Sequence, residues 1–164
     1  MKFDGNNYIE VPSSESLAFG GDELTIEAWV RWTIKPKNGD NWANILHKPG
    51  GSNGDYRLQH SQNNDKFEFV LNSKWLQGVT KPEKKKWYYV VGVYDGSEMY
   101  LYVNGKKEAS KPFDTTVTTN PGTLYIGSNS GHYRSFEGII DEVKILPRAV
   151  SAHEIKERYD ELKP

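Results

Sequence analysis

The chain has no cysteine among its 164 residues. That absence excludes a disulfide framework, a thiolate metal site and a cysteine nucleophile. It does not fix a compartment, because many exported bacterial domains also lack cysteine. No apolar run approaches the roughly 20 residues of a membrane span, so membrane insertion is not expected. Met1-Lys2-Phe3-Asp4 leads straight into strand pattern rather than the apolar core of a signal peptide. Nor does charge of either sign dominate: 21 Lys and Arg stand against 22 Asp and Glu, a net charge of −1. Nucleic-acid binding needs a clustered cationic footprint. The one basic run, Lys84-Lys85-Lys86, lies between turn residues and an aromatic strand and reads as solvated turn charge. Nucleic acid is therefore not an expected partner.

Hydrophobic residues make up only 36% of the chain, yet 13% are aromatic, including five Trp and ten Tyr, far too many for a disordered segment. The length is normal for one domain, taken here as residues 1–164. Apolar residues recur with period two in short runs divided by Gly, Asn, Asp and Pro, which is β patterning. Strands are predicted over Phe3 to Val11, Leu24 to Thr33, Ala43 to Lys48, Asp55 to His60, Lys66 to Leu71 and Ser73 to Val79. Further strands follow over Trp87 to Asp95, Glu98 to Val103, Lys106 to Lys111, Thr123 to Gly127 and Phe136 to Leu146. Asp95-Gly96 and Asn104-Gly105 suit tight hairpins, since these residues tolerate positive φ. One helix is predicted near the C-terminus, where Ser151 to Glu154 fits a capping box and Ala152, Ile155, Tyr159 and Leu162 form an apolar stripe. It is expected to pack against an edge of the sandwich. The fold class is all-β, a two-sheet antiparallel sandwich with one short C-terminal helix.

Leu24, Ile26, Ala28 and Val30 alternate with Thr25, Glu27, Trp29 and Arg31, and Met99, Leu101 and Val103 alternate with Tyr100 and Tyr102. One face of these strands is aliphatic; the other mixes rings with charges, which an inter-sheet core does not tolerate without pairing. A second, partly exposed aromatic surface is expected there. The strand from Trp87 to Asp95 is apolar on both sides and is expected to be central.

Phe3-Asp4-Gly5 to Tyr8-Ile9-Glu10-Val11 followed by Leu24 to Val30 resembles the opening of the laminin-G-like, concanavalin A-like jelly-roll domains, particularly the bacterial group. Trp87 to Asp95, Leu101 to Gly105 and Leu124 to Gly127 resemble the middle strands of that family in order. Phe136 to Val143, with Leu146 to Ser151 and Glu154-Ile155, resembles its last strand and terminal helix. The resemblance implies two antiparallel sheets, one curved, whose concave face and rim loops are open to ligands. Members include lectins, carbohydrate-binding modules of secreted glycoside hydrolases, pentraxins, adhesion domains and some glycanases, so the fold alone does not choose among them.

Catalysis finds no motif. A retaining glycosidase needs two carboxyl groups about 5 to 5.5 Å apart. In Glu137 to Glu142, Asp141 and Glu142 are adjacent and face opposite ways, while Glu137 and Asp141 lie about 13 Å apart along a strand. Ser151 reads as a helix cap, and none of the four histidines sits in a nucleophile motif or at zinc-ligand spacing. The family often carries calcium. Asn53 and Asp55 offer oxygens in one loop and Asn129 in another, without the carboxylates of a pentraxin double site; a single structural calcium between Asp4 and Asp141 is the remaining expectation.

Glycan binding requires an exposed ring to stack on a sugar and planar polar groups to bond its hydroxyls. Candidates are Trp42 after Asn38-Gly39-Asp40-Asn41, His47 and Lys48 at the end of a strand, and Asp55, Tyr56 and Arg57 at the start of the next. Asn129, His132, Tyr133 and Arg134 add an amide, rings and a guanidinium from one loop, and Trp75 is a candidate for the concave face. Family topology allows these loops to converge on one rim. Each ring has a packing alternative; Trp29, Trp32 and Trp87 are assigned to the interior. The expected function is a non-catalytic carbohydrate-binding module of a larger exported protein, extracellular or periplasmic, with a protein-binding or adhesion module as the alternative. A steep salt dependence would point to an anionic glycan held by Arg57, Arg134 and Lys48.

Overall fold

The structure, a computed structural model, describes residues 1–15, 17, 21–33, 41–50, 54–114, 117 and 121–162. Asn38 to Asp40 and the candidate ligand Asn53 lie outside these residues. Six strands form one antiparallel sheet in the order β1 (Lys2–Asp4), β12 (Glu137–Leu146), β3 (Leu24–Trp32), β8 (Tyr88–Tyr94), β9 (Glu98–Val103) and β10 (Lys106–Pro112). Six more form the second, in the order β2 (Ile9–Val11), β11 (Leu124–Ile126), β4 (Trp42–Lys48), β5 (Tyr56–Ser61), β6 (Lys66–Leu71) and β7 (Lys74–Gln77). The helix α1 spans Ala152–Glu161. The all-β two-sheet jelly roll is thus the observed architecture.

The first predicted strand divides in two. Asp4 Oδ1 accepts from the backbone N–H groups of Asn6 and Asn7 at 2.8 and 3.2 Å, and Gly5 takes φ +85°, so the chain turns and crosses from one sheet to the other. The two predicted hairpins form as expected, with positive φ at Gly96 and at both Asn104 and Gly105.

Between the sheets, Ile26, Ala28 and Val30 of β3 and Met99 and Leu101 of β9 meet Ile45, Leu58 and Phe69 of the facing sheet. Strand β8 is central and buried on both faces, as its sequence predicts. The aromatic surface expected on the far side of β3, β8 and β9 is not exposed. Helix α1 lies across that face rather than at an edge, and Trp29, Tyr89, Val91 and Tyr102 form a second core with Val150 and Ile155. Tyr159 stacks on Trp29 at 5.6 Å, and Trp29 on Tyr89 at 5.3 Å. The charge that suggested solvent, Glu27, is fully buried and paired: Tyr89 Oη and Arg158 Nη1 each donate to it at 2.7 Å, and Lys144 Nζ lies 3.4 Å away. Helix α1 supplies Arg158, and with it the partner that burial of a carboxylate requires.

Candidate functional site

With one sheet covered by the helix, the outward face of the other carries the opening. Strand β4 sets its composition through a bulge. The register moves from Asn44 opposite Gln59 to Leu46 opposite Leu58, so one extra residue is accommodated on β4. Ile45 and Leu46 are both fully buried as a result, and Trp42, Asn44 and His47 share the outward face. Lys48 falls on the inward side. Pairing then lays one row straight across four strands, Asn44, Gln59, Glu68 and Gln77, and beside it another, His47, Arg57, Val70 and Trp75.

Gln59, Glu68 and Gln77 of the first row and Arg57, Val70 and Trp75 of the second line a cavity of about 480 Å³, within the range of small-molecule sites. Its lower polar wall is tied together internally. Gln59 Nε2 donates to Glu68 Oε2 at 2.6 Å and Gln77 Nε2 donates to Glu68 Oε1 at 2.9 Å. Both amide nitrogens are thereby committed to the carboxylate. Gln59 Oε1 is buried with no protein donor, and Arg57 Nε is buried with no protein acceptor. Such groups are costly unless something bonds them. Trp75 stands at the margin, 63% exposed, on the same row as Arg57. An exposed indole beside unspent donors and acceptors is the arrangement that stacks one face of a ring and bonds its edge.

The opposite wall comes from the loop between β11 and β12. Asn129 N donates to the carbonyl of Tyr133 at 2.8 Å, closing a turn, and Arg134 follows with φ +52°. Its carbonyl accepts from Asn44 N at 2.9 Å, fixing the loop to β4. The Arg134 guanidinium lies 4.6 Å from the centre of the Trp42 ring and 5.1 Å from that of Tyr133, cation–π distances on two rings. Trp42 therefore supports Arg134 as well as lining the cavity.

His47, Asp55 and Asn129 hold this wall from behind. His47 Nδ1 is 2.8 Å from the Asn129 carbonyl and Nε2 is 2.7 Å from Asp55 Oδ1, with Asp55 Oδ2 3.6 Å from Arg57. Asn129 Oδ1 also accepts from Asn44 Nδ2 at 3.2 Å. Burial pulls the Arg57 guanidinium below its ordinary pKa; Asp55 opposes this, and the charge of Arg134 adds to the depression.

Of the residues singled out in the sequence, Trp42, Arg57, Trp75 and Arg134 line one cavity. Tyr133 packs on Arg134, and His47, Asp55 and Asn129 position the wall. Lys48 and Tyr56 are corrections: both are buried, Lys48 donating to the Gly122 carbonyl and Tyr56 joining the inter-sheet core. His132 is exposed and turns to Tyr8, 5.3 Å between ring centres. Gln59, Glu68 and Gln77 were missed; their signal was polar residues at alternate positions of β5 to β7. The Asp4 and Asp141 pair also fails. Asp4 sits opposite Glu137, four residues from Asp141 along β12, and its carboxylate caps its own turn. Among the described residues no group of three or more His, Asp and Glu side chains converges to hold a metal.

The sequence from residue 3 to 156 matches the concanavalin A-like lectin/glucanases superfamily, and the chain belongs to it. No curated protein matches it in sequence. Among solved structures, a candidate carbohydrate-binding protein from Bacteroides ovatus ATCC 8483 superposes with a TM-score of 0.76 at 20% identity, over 95% of this chain and 45% of that one. This chain therefore spans less than half of that protein. Domain 4 of AbnA, an extracellular GH43 arabinanase from Geobacillus stearothermophilus, in complex with arabinotriose, gives 0.74 at 18% identity, over 95% of this chain and 74% of that one. A heptameric SAP-like pentraxin from Limulus polyphemus gives 0.65 at 16% identity, over 95% and 83%. At these identities the likeness is one of fold. Among the described residues no helix is long and apolar enough to cross a membrane.

Proposed function

We propose that the chain is a non-catalytic carbohydrate-binding module that holds a poly- or oligosaccharide on the outward face of the β2-to-β7 sheet and serves a larger exported protein. One observation carries the reading: exposed Trp75 shares a row with Arg57 and borders an amide and carboxylate floor whose remaining bonding capacity faces an open cavity. The arabinotriose bound by domain 4 of AbnA lends support from a protein of the same fold. The non-catalytic part rests on Glu68, the one carboxylate among the described residues that line the cavity, where a retaining mechanism uses two.

The test is a glycan array followed by affinity electrophoresis. Saturable binding to at least one glycan is expected, and Trp75→Ala should weaken it about tenfold or more, the loss typical of an aromatic anchor. Binding to no glycan, with a protein partner captured and released by the same substitution, would move the reading to an adhesion module. Turnover of any glycan on the panel would refute the non-catalytic part.

A further inference from the structure

Gln59 is only 4% exposed, yet it lines the cavity with one end of its amide committed and the other bare. Chemistry decides which end is which. Glu68 is the cross-strand neighbour of both Gln59 and Gln77, and a carboxylate offers two accepting oxygens and no donor. Each glutamine must therefore turn its amide nitrogen toward Glu68, and the contacts at 2.6 and 2.9 Å are those bonds. For Gln59 the carbonyl is what remains, and Oε1 is buried with no protein donor. A buried acceptor left bare costs free energy that a donating ligand relieves.

Two residues back along β5, on the same face, Arg57 has the complementary need: its Nε–H is buried without an acceptor. A sugar carboxylate has no proton for Gln59 Oε1, and an ammonium group has no lone pair for Arg57 Nε–H. Hydroxyls have both. Trp75, 63% exposed and two strands from Arg57 in the same cross-strand row, gives the ring that carries those hydroxyls a face to stack on.

We infer that the site selects a neutral sugar with two adjacent free hydroxyls, one donating its proton to Gln59 Oε1 and the next accepting from Arg57 Nε–H. Glu68 is the positioning residue that sets this polarity, because it holds the Gln59 amide with its carbonyl toward the ligand. The inference rests on the carbohydrate-binding reading and names the class of glycan that the same site takes.

The experiment titrates the whole chain with arabinotriose, xylotriose, cellotriose and β-1,4-mannotriose, each beside its monodeoxy and monodeoxyfluoro derivatives. Fluorine keeps a weak acceptor and removes the proton. In at least one series, one hydroxyl position should lose about tenfold or more in affinity with fluorine as with hydrogen, the scale of an orphaned buried acceptor. At an adjacent position fluorine should cost less than hydrogen, since only an acceptor is needed there. Gln59→Leu should erase the penalty at the first position and keep the pattern at the second. Glu68→Met, which frees the Gln59 amide to present either end, should shrink the first penalty. If neither variant folds, the wild-type series carries the test.

Fluoro derivatives that bind like their parents at every position would overturn the inference and leave the carbohydrate reading standing. So would a first-position penalty that survives Gln59→Leu, or a trimer of galacturonate or glucosamine that binds more tightly than every neutral trimer. An equal loss for every probe in Glu68→Met, with the penalty intact, would overturn the positioning role. Binding to none of these trimers, neutral or charged, would overturn both the inference and the reading beneath it.

Discussion

His47 shows how much one side chain can organise. Both of its ring nitrogens face oxygens, the Asn129 carbonyl and the Asp55 carboxylate, and a neutral imidazole can donate to only one of them. The ring ties three separate stretches of chain together: β4, the approach to β5 and the loop that presents Arg134. His47→Ala would leave Asp55 buried beside Arg57 alone and leave Asn129 held to β4 through the Asn44 amide without the imidazole. The expected cost is about 1–3 kcal/mol, the penalty for orphaning a buried polar group, read in a denaturant titration, together with weaker glycan binding. Wild-type stability in this variant would show that the ring is incidental. Residues of this kind were partly legible. Rings and guanidinium groups beside turn residues stand out in a sequence, which is why Trp42, Arg57, Trp75 and Arg134 are legible there. Gln59, Glu68 and Gln77 are not, because a polar residue at every second position of a strand is what any half-solvated sheet displays.

At the level of elements, two irregularities account for the misplaced residues. An unbroken β4 would carry Trp42, Asn44, Leu46 and Lys48 on one face; the bulge reverses the alternation, sending Lys48 inward and His47 outward. Nothing in Ala43 to Lys48 marks that extra residue. Helix α1 is the other case. Its stripe of Ile155, Tyr159 and Leu162 was readable, but its destination was not, because Glu27 looked like a solvent-facing charge until Arg158 came to meet it. The helix is fastened by Glu154, whose carboxylate accepts from Arg148 Nη1 at 2.9 Å and Arg158 Nη2 at 2.6 Å. The Arg148 hydrogen bond holds this carboxyl below the usual glutamate range. A group depressed on folding contributes stability above its unfolded pKa, and that contribution is lost as pH falls through the folded value. Melting temperature should therefore decline on acidification below the ordinary value of 4.5, and Glu154→Gln should remove part of that slope. An identical acid limb in the variant would place the sensitivity elsewhere.

The molecule as a whole depends on how closely its two sheets approach. Gly92, at the middle of central β8, faces Phe69 of the opposing sheet, and a methyl group built there would lie 2.5 Å from the ring. Gly92→Ala must push Phe69 or separate the sheets, at about 1–3 kcal/mol, measurable as a lower denaturation midpoint; an unchanged midpoint would mean that the interface has slack. Phe69 lies on β6 between Glu68 and Val70, so a shift there should also reach the cavity floor and lower glycan affinity. The sandwich itself was readable from alternation and turn residues, since both act locally. The division of Phe3 to Val11 between the sheets was not, because it is decided by which partner strands the two halves meet. The polar row has the same dependence. Asn44, Gln59, Glu68 and Gln77 belong to four strands and become neighbours only through pairing. A slip of one position anywhere among those strands would present interior residues in their place, so on the proposed reading glycan capture would double as a proofreading signal for correct strand alignment.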